Sequence, residues 1–411
     1  MPDPLLIVCG VDRDAVLATG EAAAAADPRT VLVVHDLRRL GEGVVTRAVH
    51  HEGRWTTTAL ELAHGCVSCT LREDLLPLLL ELADDDGVGR VVLLLDPGME
   101  PEPVCEALAH VVPDGREGPV TDVLDLVGVV AVLDGERWLD DAGSDDALAD
   151  RGLALTDDDD RTVAQIVVGH AEFADVLLVV GGPEPWERVR RDAVLARLAP
   201  QARRLDASGA AEVPDVTPVL AELHPDARRG VPDDPHGPLL RGQPPLTRDV
   251  GVSLLHVGLR RPFHPQRLHE AFDVLLTGTV RVRGRVWVAS RPEHALWIES
   301  AGGGLQIGMA GRWLADSLAW DDVDEVRRAS ASLRWDERWG DREQQLVVLV
   351  HDAEPADVVA ALDLALLTDD ELALGEDAWR AFPDPFGTTH TDPCDELEGP
   401  VVPSEQRGEQ A

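Results

Sequence analysis

A mostly parallel α/β sheet with helices on both faces, followed by a smaller α+β domain, is the fold class that this 411-residue sequence predicts. Three observations predict it. Over the first 200 residues, short Val- and Leu-rich runs alternate with helical stretches, the pattern of strands buried on both faces. From 211 to 250 the text fills with Pro and Gly and loses periodicity, as a linker does. After 250 the strand-like runs crowd together with short turns between them, which argues for an antiparallel sheet carrying helices.

The expected strands of the first unit (1–210) are "LLIVCG" (5–10), "VLVVHD" (31–36), "VVLLLDPG" (91–98), "VVAVLDG" (129–135) and "VLLVVGG" (176–182), each closed by a turn residue. "RDAVLATGEAAAAA", "REDLLPLLLELADD" and "PEPVCEALAHVV" supply helices between them. In such sheets ligands sit at the carboxyl ends of the strands. In the second unit (251–386) "GVSLLHVGL", "GTVRVRGRVWVAS", "HALWIESAG", "GLQIGMAG" and "EQQLVVLVHD" read as strands, "HPQRLHEAFDVLL" and "EPADVVAALDLALL" as helices. Residues 387–411 form a polar tail.

Composition narrows the function. There is no run of 18 apolar residues and no basic start with a long apolar stretch at the N-terminus, so a cytoplasmic protein without a membrane segment is expected. The formal charge of −39 argues against direct binding to a nucleic-acid backbone and for a protein partner. All 37 basic residues are arginine, which excludes any mechanism needing a lysine. The acidic runs at 140–150 and 156–161 read as solvated faces, and the 10 tryptophans, Trp287 and Trp297 among them, as core.

Five cysteines, only two of them close together, do not make a disulfide framework. That close pair, Cys66 and Cys69 in "HGCVSCTLREDL", opens a helical stretch and has three readings: metal ligands, a redox couple with a thiol activated at a helix start, or packing. His64 stands two residues before Cys66 as a third candidate ligand, and His35, Asp36, His50 or His51 could approach from neighbouring loops. Cys9 and Cys105 read as packing residues, and His390 with Cys394 as bystanders in the tail.

Gly10, between the first strand and a helix, sits where a P-loop NTPase-like sheet carries G-x-x-x-x-G-K-[ST]. Here the last three positions are Ala15, Val16 and Leu17, so the phosphate-binding lysine and the magnesium hydroxyl are missing. Asp12 and Asp14 would place carboxylates at the mouth, and Arg13 reads as a surface arginine. No N-K-x-D pattern for reading guanine follows "ADVLLVV". Asp96 and Asp134, at strand ends, read as cap or turn residues.

"HGCVSCTLREDL" resembles the G-C-x-C-C-x-L-R-x-D-L signature of the CobW-type P-loop GTPases, a family that includes zinc metallochaperones. "HAEFADVLLVV", "VVAVLDGERWLDD", "RGRVWVASRPEHALWIESAGG", "WGDREQQLVVLVHD" and "LLTDDELALGEDAWRAFPDPF" are similar to further segments of that family, so the resemblance covers most of 5–386. It implies a GTPase-type domain with a zinc-binding cysteine motif, Cys66, Cys69 and His64 here, and a C-terminal domain for partner contact. Ser68 stands where the signature has its middle cysteine. With the GTP and magnesium apparatus lost, hydrolysis is not expected and zinc is the implied metal. A narrower resemblance, to degenerate actinobacterial members, implies recruitment of a ribosome hibernation factor, or contact with a ribosomal protein, under zinc limitation. The alternatives are a GTP-dependent zinc metallochaperone and a scaffold with inert cysteines.

Overall fold

The computed structural model describes residues 3–62, 65–182, 184–316, 320 and 323–387. Its first sheet has eight strands: β1 (Asp3–Cys9), β2 (Thr30–Asp36), β3 (Val44–His51), β4 (Arg54–Glu61), β5 (Arg90–Leu94), β6 (Leu124–Asp134), β7 (Val176–Val180) and β8 (Arg203–Ala207). They lie in the order β4-β3-β2-β5-β1-β6-β7-β8. All pairs are parallel except β2 with β3 and β3 with β4. The chain leaves β1 towards β2 on one side and later returns to β6 on the other, so the topological switch lies at the carboxyl end of β1.

Period-2 alternation in the central strands feeds two cores. Leu6 and Val8 of β1, Leu32 and Val92 face α1 (Arg13–Ala25), where Ala15, Val16 and Ala23 complete that layer. Leu5, Ile7, Val31, Val33 and Leu93 face the opposite helices. The Cys-motif turn α2 (Val67–Thr70) opens that side, followed by α3 (Leu76–Ala83), α4 (Pro101–His110), α5 (Trp138–Ala142), α6 (Val163–Phe173) and α7 (Pro185–Leu198). Fully burying one such Leu or Ile stabilises the fold by about 1.5–3 kcal/mol, which is why the Val/Leu runs mark these strands.

The sequence reading missed β3, β4 and β8. The first two form a hairpin whose two-residue turn, Glu52–Gly53, has φ of 50° and 74°, the geometry that suits the twist of paired strands. Apart from buried Val45, their side chains are half-exposed or exposed, so no apolar run announces them. The hairpin brings the chain back along the sheet edge and delivers it to the cysteine motif.

The second sheet, order β12-β11-β10-β13-β9, is antiparallel: β9 (Ser253–Leu259), β10 (Thr279–Trp287), β11 (His294–Ala301), β12 (Gly304–Arg312) and β13 (Gln344–Val350). Val282, Val286, Leu346 and Val348 on one face pack against α8 (Pro265–Leu275) and, later in the chain, the Pro355–Ala365 helix. Trp287, Trp313 and Trp379 build a separate aromatic cluster against Trp339 and Trp297. Core packing of Trp287 and Trp297 thus agrees with expectation, Trp297 at its rim.

The other face of this sheet is turned onto the first domain. Val347, Leu349, Leu254 and Val280 join the core that contains α6 and α7. On β10 the sequence R-V-R-G-R alternates, and its Arg281 and Arg283 enter the junction. Arg281 bonds Glu172 of α6 at 2.7 Å, and Arg283 bonds Glu172 and Asp233 at 2.8 Å each. Arg228 bonds Asp233 as well, at 3.0 Å. The stretch read as a linker is therefore packed: Val216, Leu220 and Leu223 fill the core beneath α1's face of the sheet, and Asp233 pins the junction. Burial pushes the Asp233 carboxyl up, but Arg283 and Arg228 hold it well below the usual carboxylate range. Removing it strands buried arginines, so Asp233→Ala is expected to cost roughly 3–5 kcal/mol in a urea unfolding curve. Loss of under about 1 kcal/mol, the value of an exposed pair, would show that the network carries little.

Candidate functional site

The carboxyl edge of the parallel sheet gathers the loops after β1, β2 and β5. After β1, Asp12 caps α1: its Oδ1 accepts the N–H groups of Asp14 (3.0 Å) and Ala15 (3.1 Å). Free N–H groups at a helix start are what a phosphate loop offers to its anion, and here a carboxylate of the chain takes them. Val16, at the template's lysine position, is 4% exposed and belongs to the core.

Arg13 is more than the surface arginine expected. Its Nη2 donates to Asp96 Oδ2 at 2.9 Å, and Asp96 is 2% exposed. The same carboxylate accepts from Leu37 N (2.9 Å), just past β2, and from Gly98 N (3.2 Å). Asp96 therefore makes the turn contact expected of it, and in addition ties three strand ends together. Asp134 does keep to a turn role, accepting from Glu136 N and Arg137 N.

The loop after Asp96 is held on its far side too. Arg161 donates to Gly98 O (3.0 Å), Glu100 (2.9 Å) and Asp159 (2.8 Å), and His170 of α6 meets Met99 O at 2.8 Å. The acidic runs consequently do not behave as solvated faces throughout. Asp141 is buried against Arg151, and Asp159 is largely covered by Arg161. The arginine that ends "TDDDDR" was the available signal, since a carboxylate needs a cation to be covered.

The cysteine motif is mounted against the loop after β2. A Cβ on Gly65 would stand 2.2 Å from Leu40 O, so only glycine permits this approach. Cys66 then starts the helix in an extended conformation, with Sγ accepting Cys69 N–H at 3.3 Å. Both cysteines are half-buried. Residues Leu71–Leu75 widen into a π-helical turn before α3. Pro77 accounts for it: proline lacks the N–H and its ring clashes with the carbonyl four residues back. The widened turn buries Asp74, which meets His35 Nε2 of β2 at 2.6 Å and pairs with Arg47 of β3. Sequence reasoning overlooked Asp74, although it is the aspartate of the L-R-x-D-L signature.

That contact withdraws His35 from the cysteines. Asp36 is engaged by Arg38, and His50 packs on Trp55 with ring centroids 4.9 Å apart. Among the described residues no three His, Cys, Asp or Glu side chains come together as a metal site, so none of His35, Asp36, His50 and His51 is gathered with both cysteines in this structure. His64, His390 and Cys394 lie outside the described residues. Cys9 and Cys105 are buried packing residues whose thiols burial pushes far up.

Comparison with known proteins fits this geometry. Residues 25–181 match the CobW/HypB/UreG nucleotide-binding domain and 252–366 the cobalamin synthesis protein cobW C-terminal domain. A Mycobacterium tuberculosis protein named zinc chaperone Rv0106 is 46% identical over 97% of this chain and 96% of its own. The chain belongs to the CobW family. The matched nucleotide-binding region begins after Gly10–Leu17. A second family relative, zinc-regulated GTPase metalloprotein activator 1 of Dictyostelium discoideum, is 29% identical over 80% of this chain and 70% of its own. The Zn(II)-bound YjiA GTPase from E. coli covers 89% of this chain and 100% of its own at 12% identity, with a TM-score of 0.35, too low to carry an argument. Among the described residues no helix is long and apolar enough to cross a membrane.

His170 gives this CobW-family edge a pH dependence. Burial lowers its imidazole to about 4. The folded pKa lies below the unfolded value, so the unfolded chain takes the proton first. Its contribution is present above about pH 6.5 and is lost as pH falls towards 4, on the order of 3 kcal/mol in all. Urea titrations of wild type and His170→Gln should show a gap between the two proteins that narrows over this window. A gap independent of pH would assign the acid sensitivity elsewhere.

Proposed function

We propose that this chain is a zinc-linked CobW-family protein without nucleotide turnover, which acts by recruiting a protein partner, a ribosome hibernation factor, under zinc limitation. The observation that carries the nucleotide part is the pairing at the switch point. Asp12 occupies the helix start where a phosphate would accept hydrogen bonds. Arg13 neutralises Asp96, the carboxylate that magnesium would need. An incoming triphosphate would meet Asp12 and Asp14 with no lysine to offset them, and phosphoryl transfer depends on such cations.

Zinc enters as cargo or signal. Its support is the naming of the relatives and two thiols one turn apart. Two thiolates leave positions of a tetrahedral ion open, which His64 or a client protein would fill. The charge of −39 suits a basic protein partner, and the hibernation factor itself rests on the resemblance of "HGCVSCTLREDL" to the degenerate actinobacterial members.

With a fluorescent GTP analogue and magnesium we expect neither saturable binding at micromolar concentration nor turnover. Tight binding with hydrolysis would instead favour the GTP-dependent zinc chaperone, the reading that the name of the Dictyostelium relative supports. In a competition with a chromophoric chelator, Cys66→Ser with Cys69→Ser should lose at least about tenfold in zinc affinity, the cost of losing thiolate ligands. Superimposable curves would leave the cysteines inert. Affinity capture from zinc-starved and zinc-replete cells should return a hibernation factor or ribosomal proteins in one state; their absence from both would end the recruitment reading.

A further inference from the structure

Between α6, the turn from α7 to β8, the 228–244 connector and the arginine face of β10 lies an open cleft whose inner cavity is about 60 Å³. Leu198, Leu239, Leu240, Leu254, Val347 and Leu349 give it apolar walls. Arg197, Arg228, Arg241, Arg281 and Arg283 line it with Glu172, Asp175 and Asp233, and Glu299, outside that lining, also pairs with Arg281, in a chain that is strongly acidic as a whole.

The carboxylates are already committed. Glu172 holds Arg281 and Arg283, and Asp233 holds Arg228, Arg241 and Arg283. Asp175 accepts the backbone N–H groups of Val129 and Arg229, each at 2.9 Å. Arg197 is left with carbonyls: Nη1 donates to Ala193 O (2.8 Å) and Nη2 to Thr247 O (2.6 Å). It is 5% exposed, makes no ion pair among the described residues, and feels Asp249 only through space. The Nε–H groups of Arg197, Arg281 and Arg283 all lack an acceptor among the described residues. A buried cation without a partner costs several kcal/mol, and each orphan donor about 1–3 kcal/mol. Water can accept those hydrogen bonds but cancels no charge.

We propose that this interdomain cleft binds a small organic oxyanion whose phosphate or carboxylate group enters the inner cavity beside Arg197 while its apolar body lies in the open mouth. The apolar walls would take the body, and Arg197, the lining arginine without a carboxylate partner among the described residues, the charge, the usual division in small-molecule sites at domain interfaces. Lying against both domains and the connector, the anion would stabilise their relative placement. This site stands at the opposite end of β7 from Gly181 and the nucleotide-type loops, so it does not depend on the proposed loss of nucleotide chemistry.

The full-length protein is titrated calorimetrically with phenyl phosphate, benzoate and inorganic phosphate, and its Tm is followed against sodium chloride of matched ionic strength. Single-site saturable binding of one aromatic anion is expected, tighter than inorganic phosphate and with a raised Tm; which anion wins identifies the head group. Arg197→Gln should weaken it about tenfold or more, the loss of a charge-assisted bond. Leu240→Trp, which fills the cleft, should abolish it with the far-UV spectrum unchanged; if that variant does not fold, Arg197→Gln decides alone. Aromatic anions that do no more than sodium chloride, or an Arg197→Gln protein that binds like wild type, would overturn the proposal.

Discussion

The buried carboxylate of Asp96 is the constraint on which the arrangement of the carboxyl edge depends. An ionised group at 2% exposure is tolerated only when its charge and lone pairs are met, and Arg13, Leu37 N–H and Gly98 N–H meet them. Those three partners come from the loops after β1, β2 and β5, so satisfying one carboxylate fixes three loops at once. Asp12, accepting two N–H groups at the start of α1, adds a second charge of the protein's own to this edge.

Mounting the cysteines follows the same logic one step outward. The loop after β2 receives Gly65 in backbone contact, and Asp74, turned inward by the π-helical turn, joins the cysteine-bearing helix to β2 through His35 and to β3 through Arg47. A motif that would otherwise sit on a surface loop is thereby held by buried polar contacts, which fix geometry more strictly than apolar packing does. At the domain junction arginine again does the holding. Its planar fork bridges two carboxylates at once, as Arg283 does with Glu172 and Asp233, an arrangement that lysine's single ammonium does not reproduce.

Much of this was legible in residue order alone, and the omissions have physical causes. Buried parallel strands announce themselves because both faces must be apolar, as in "LLIVC" and "VLLVV". The edge hairpin β3–β4 escaped because all its side chains but Val45 are half-exposed or exposed, so "RWTTTALE" carries no hydrophobic signature. The 211–250 connector looked structureless because Pro and Gly hide periodicity, yet Leu220 and Asp233 anchor it through contacts distant in sequence. Arg13 looked like a solvated side chain because its partner lies 83 residues away.

The sequence by itself determined the two-domain class, the absence of lysine with Val16 and Leu17 after Gly10, and the two thiols of Cys66 and Cys69, since these depend on residue type, local spacing and the alternation of apolar and polar positions. Only the tertiary structure decided which charges are neutralised and by what. Arg13 went to Asp96, His35 to Asp74 rather than to the cysteines, and Arg281 and Arg283 to a buried junction, while Arg197 was left among carbonyls. The reason is that the cost of a charge is set by burial and by the distance to an opposite charge, and both come into being only when remote segments of the chain are brought together.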